Sequence, residues 1–101
     1  MESVNLTCHP DRTELIFKGV LDVSCARNVY QTLNEALIRA LPLEIDTGGL
    51  ERLDTAALQL LVAFGRIARE RGLHLRWSSV GQTLRSSAEL LGLAAALELP
   101  A

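Results

Sequence analysis

Lysine is nearly missing from this sequence. Lys18 is the only one, beside nine arginines, and any mechanism that needs a lysine must use it. An excess of one charge is missing as well. Ten basic and 12 acidic side chains leave a formal net charge of -2, which gives no electrostatic footprint for nucleic acid or an anionic membrane. No apolar run approaches the roughly 20 residues that cross a bilayer. Met1 to Pro10 has neither the cationic start nor the apolar block of a signal peptide. A soluble, cytoplasmic protein is therefore expected, without direct membrane insertion. Cys8 and Cys25 are the only cysteines and lack the clustering of a thiolate metal site. Free, partly buried thiols are expected, although sequence alone leaves a disulfide open. His9 and His74 fall apart, one in a turn and one in a strand, so neither a metal nor a catalytic role is expected of them. Gly48-Gly49 lacks the further glycines or the lysine that cradle nucleotide phosphates, and no cofactor site is expected.

What is present suits one packed core. The chain has 101 residues and 49% apolar composition, enough for a single domain over 1–101 with little margin. Ser3 to Cys8 alternates polar and apolar residues, the period of a half-buried strand. His9-Pro10-Asp11-Arg12 reads as a turn, and Glu14 to Gly19 as the second arm of a hairpin. Asp22 and Ser24 can both cap a helix. Behind them Ala26, Val29, Tyr30, Leu33, Ala36, Leu37, Ala40 and Leu41 form one apolar stripe, ended by Pro42. Leu43 to Asp46 reads as a short strand closed by Gly48-Gly49. Asp54 opens a second helix that runs to about Arg71 and stops at Gly72. Leu73 to Trp77 alternates again, with Trp77 packing on a sheet face. Leu84, Ser87, Ala88 and Leu91 mark a third helix, and Leu93 to Leu99 one more helical turn. The order is β-β-α-β-α-β-α. Its alternation favours an α/β fold with parallel strands joined by right-handed crossovers.

The second helix carries the main functional signal. It is apolar over most of its surface, so it lies deep in the core or offers a flank, Leu60, Ala63 and Phe64, to a partner. Such a flank permits a homodimer without requiring one. The start of the helix exposes unpaired N–H groups, with Asp54 as cap and Thr55 as first helical residue. An anion there, such as a phosphate on the threonine, would be stabilised. By itself, Asp-Thr before an apolar run is an ordinary cap.

The wider pattern resembles the STAS family, the anti-sigma-factor antagonist domains of bacteria. Gly19-Val20-Leu21-Asp22, Leu43-Glu44-Ile45-Asp46, Leu53-Asp54-Thr55-Ala56-Ala57-Leu58 and Leu90-Leu91-Gly92-Leu93 carry the resemblance, in family order over almost the whole chain. It implies a mixed β-sheet with helices packed against it, and a non-enzymatic switch read by a protein partner. The implied docking loop comprises Asp54, Thr55, Ala56, Ala57, Gln59 and Leu60. In the antagonist branch a kinase-like anti-sigma factor phosphorylates a serine two residues after the aspartate, and the charge breaks the complex. Here that position is Ala56, and the usual glycine after it is Ala57. Thr55 is the one hydroxyl left in the loop and the candidate phosphoacceptor. Asp-Thr-small-small also looks like the STAS subunit of the bacterial phospholipid-transport ABC system, in which the matching threonine contacts the ATPase. Asp46-Thr47-Gly48 resembles the catalytic triplet of aspartic proteases, but that fold is nearly all strand, and the helical periodicity here argues against it.

Overall fold

The computed structural model describes residues 3–100. Strands β1 (Val4–Cys8) and β2 (Thr13–Leu21) form an antiparallel hairpin, with Leu6 opposite Leu15. A short 3-10 turn (Val23–Cys25) leads into α1 (Ala26–Arg39), followed by β3 (Leu43–Leu53) and α2 (Thr55–Glu70). Strand β4 (Leu75–Ser79) and helices α3 (Gln82–Leu90) and α4 (Ala94–Leu97) complete the chain. The sheet order is β1-β2-β3-β4, with β3 parallel to both β2 and β4. This is the mixed α/β sheet expected from the alternation of elements.

The sheet buries one face under the helices. Leu15 and Phe17 on β2, and Leu43, Ile45 and Thr47 on β3, are sealed, whereas the residues alternating with them, Glu14, Lys18, Glu44 and Asp46, reach solvent. Val29, Leu33, Ala36 and Leu37 of α1 and Leu58, Leu61, Phe64 and Ala68 of α2 close over that face. The domain is thin, 34 × 30 × 19 Å, as a sheet with one helical layer must be. On the open face Glu44 lies between two arginines, at 2.6 Å from Arg76 and 3.8 Å from Arg12. The hydrogen bond from Arg76, helped by the charges of both arginines, holds the Glu44 carboxyl below its ordinary range.

Three local features differ from the sequence expectations. Strand β3 runs through Gly48-Gly49 instead of ending there. The glycines are there because neighbours come close. A Cβ on Gly48 would lie 2.7 Å from the Ser79 hydroxyl, and one on Gly49 3.0 Å from Lys18 Cβ. Register shifts on β2 flank Gly19, whose φ of +73° suits glycine. Helix α1 stops at Arg39, ahead of Pro42, because Ala40 turns left-handed at φ 54°. The Arg39 guanidinium then donates to the carbonyls of His9 and Arg12 and to the Thr13 hydroxyl, tying the helix end to the hairpin turn. Tyr30, expected on the apolar stripe, is instead 62% exposed.

Candidate partner-docking site

Asp54 has the extended backbone of an N-cap, with φ -89° and ψ 170°. Its Oδ1 accepts from the Ala57 N–H at 2.8 Å, and its carbonyl accepts from the Leu58 N–H at 3.0 Å. Its own N–H donates to the Leu21 carbonyl at 3.2 Å, so the start of α2 is tied to the end of β2. The first turn of α2 then divides. Thr55, Ala56 and Gln59 face solvent, Leu60 is half-buried, and Ala57 and Leu58 enter the core. Of the six loop residues suggested by sequence, Ala57 therefore supports the surface from beneath. The flank proposed for self-association is also largely used up, since Phe64 is buried and Leu60 and Ala63 are partly covered.

A second segment joins this surface that the sequence reading did not include. The free oxygen of Asp54, Oδ2, accepts from the Val23 N–H at 3.1 Å. Val23 is 71% exposed and stands beside Ala26, Ala56 and Leu60 around a small apolar recess. An apolar residue set between two cap formers, Asp22 and Ser24, was the one sequence signal for it. Asp22 caps its own turn, accepting from the Ser24 hydroxyl at 2.5 Å and the Ser24 N–H at 2.9 Å. These bonds, the hydroxyl's first, hold the Asp22 carboxyl below its ordinary range. Cys25 closes the turn, its thiol accepting from the Asp22 N–H at 3.3 Å and donating to the Asp22 carbonyl at 3.1 Å.

The other sequence candidates fall elsewhere. Asp46 accepts from the Gly48 N–H at 2.9 Å, and buried Thr47 donates to the Ser79 carbonyl at 3.2 Å, so the protease-like triplet is spent on holding β3. His9 meets Glu14 at 3.1 Å across the hairpin, and His74 is exposed ahead of β4. Both cysteines are free thiols, Cys8 exposed and Cys25 half-buried. Trp77 packs against the core and donates its indole N–H to the Leu97 carbonyl. Among the described residues no acidic, thiol or imidazole cluster could hold a metal, and no helix is long and apolar enough to cross a membrane. A depression of about 500 Å³ opens between Ser3, Lys18, Gly19, Ser24 and Glu51.

A family model described as "Mlab, STAS domain" matches residues 4–99. The chain belongs to the STAS domain family. Solved structures share its fold. An anti-sigma factor antagonist from Mycobacterium paratuberculosis has a TM-score of 0.73 at 21% identity, over 91% of this chain and 79% of that one. Two structures described as Mglu, one of them in its native form, have TM-scores of 0.69 and 0.64 at 17% identity. They cover 79% and 76% of this chain, which spans only 20% and 24% of theirs. At these identities the likeness is one of fold. No curated protein matches the sequence. Domains of the STAS and anti-sigma-antagonist type are generally non-enzymatic.

Proposed function

We propose that residues 1–101 form one STAS domain that acts without catalysis, as a cytoplasmic regulatory module of the anti-sigma-antagonist kind. It binds a protein partner through the loop and first turn of α2. The observation that carries this reading is the division of that turn. Asp54 and the buried Ala57 and Leu58 fix the backbone, while Thr55, Ala56 and Gln59 are held out to solvent on a rigid helix start. A preformed surface of small side chains suits a close protein contact, because little side-chain freedom is lost on docking. The partner expected on this reading is a kinase-like anti-sigma factor. Thr55 is the hydroxyl in the loop that its kinase activity would modify.

A second reading has a specific observation behind it. The matched family model is described as Mlab, and the position that carries phosphoserine in the antagonist branch is Ala56. Both favour an accessory subunit that holds the ATPase of a phospholipid-transport ABC system without phosphorylation. The two readings share a surface and differ in partner. Pull-down of purified candidates with wild type and Thr55→Glu tests both. We expect the glutamate to weaken capture of the true partner, because it sets a charge in a contact of small side chains. Equal capture by the two proteins would count against the docking surface.

A further inference from the structure

We infer that Asp54 is a positioning residue that clamps the β2–α1 turn to the start of α2, so that Val23 is presented as part of the docking surface. The inference rests on the docking reading above and adds a second segment to it. Its basis is the division of labour between the two carboxylate oxygens. Oδ1 caps α2 through the Ala57 N–H, a task that serine or asparagine performs nearly as well. Oδ2 reaches across 31 residues of sequence to the Val23 N–H at 3.1 Å. Serine and asparagine each carry one acceptor oxygen, and one atom cannot stand at both the Oδ1 and the Oδ2 positions that these two N–H groups face. The carboxylate is thus the side chain whose chemistry fits this position.

The bond has a consequence at the surface. Val23 opens a 3-10 turn that Asp22 caps from its own side. Without the clamp, the internal bonds of that turn would survive, but its N–H would no longer be anchored to Asp54. With the clamp, the 71% exposed Val23 side chain is held beside Ala56 and Leu60 before any partner arrives. Preorganisation of this kind lowers the ordering cost of binding. It also explains how a domain with so few large side chains at its helix start can offer an apolar anchor there.

The test needs no partner, so its failure is distinct from failure of the docking reading. Amide hydrogen exchange is followed by NMR on the whole chain, in wild type and in Asp54→Ser. Serine retains the cap, so Ala57 should exchange within about threefold of wild type, whereas Val23 should exchange about tenfold faster or more, as befits loss of a bond to a charged acceptor. An unchanged Val23 rate beside a retained Ala57 rate would overturn the clamp. If serine loosens both amides, Asp54→Asn decides. Its NH2 group replaces one of the two oxygens and sets a donor against an N–H, so fast exchange at one of the two amides sustains the proposal. Wild-type protection at both would overturn it.

Discussion

Gly81 and Gly65 should respond in opposite senses to the same substitution. Gly81 caps α3 with φ -76° and ψ 164°, a conformation open to any residue. On backbone grounds alone, Gly81→Ala would stabilise the fold by about 0.4–1 kcal/mol, because the unfolded chain loses freedom. The surroundings oppose this. A Cβ there would sit 2.8 Å from the Thr47 carbonyl oxygen and 3.2 Å from both Gly48 Cα and the Gly48 carbonyl oxygen. All three are backbone atoms of a central strand and cannot rotate away. Overpacking of this kind costs about 1–3 kcal/mol, so the net loss should be about 1–2 kcal/mol. For a domain of this size that lowers Tm by about 5–15 °C. A Cβ on Gly65 of α2 would instead meet the Arg69 guanidinium at 3.3–3.6 Å, a side-chain end that is bonded to the Ala96 carbonyl and Glu98 but needs to give by only a few tenths of an ångström. Gly65→Ala should gain about 0.5 kcal/mol from helix propensity and raise Tm by a few degrees. Reversible thermal unfolding by circular dichroism measures both. A Gly81→Ala protein as stable as wild type would refute the close seating of α3 on β3.

Two further outcomes are expected. Ala56 is exposed, so Ala56→Ser should change stability by less than about 0.5 kcal/mol while restoring the hydroxyl that the antagonist branch phosphorylates. Mass spectrometry after incubation with a cognate kinase-like partner should find phosphate at position 56 in the variant only, and a variant left unmodified there would argue against the antagonist reading. Asp22 and Glu44 both have carboxyls held below their ordinary range in the fold. The unfolded chain then binds more protons in acid, so their contribution is complete above the ordinary carboxylate range, about pH 4, and is lost as pH falls through the lower folded values. Urea midpoints should fall between pH 5 and pH 3, and Asp22→Asn with Glu44→Gln should fall less steeply. A slope unchanged in that double variant would contradict the assigned bonds.

Much of the fold was legible because strong local signals agreed with it. Helix α2 has a cap at Asp54, an unbroken apolar stripe and a stop at Gly72, and it lies where those signals put it. The Asp22 cap was visible too, although it opens a 3-10 turn and not α1 itself. Strand β3 was read too short, since a glycine pair normally marks a break, and only the packed structure shows that Lys18 and Ser79 crowd the space a Cβ would take there. Burial of Phe64 was likewise illegible. Which flank of an apolar helix is covered depends on how its neighbours pack, which periodicity does not report. For the candidate site, sequence pointed to the loop at Asp54 but gave no sign that the turn at Val23 is bonded to it. The bond from Val23 to Asp54 joins residues distant in the chain, and no local pattern encodes such a pair.

The first turn of α2 is the proposed docking surface. Its most direct test is the affinity of the purified partner, kinase-like protein or transporter ATPase, for two surface variants. Ala56→Arg places a large charge on the exposed turn, and Arg76→Glu reverses a charge on the helix-free face of the sheet. By isothermal titration, Ala56→Arg should raise Kd by about tenfold or more, the scale of a disrupted interface centre, and Arg76→Glu by less than about threefold. The reverse order, or equal loss in both, would contradict the account.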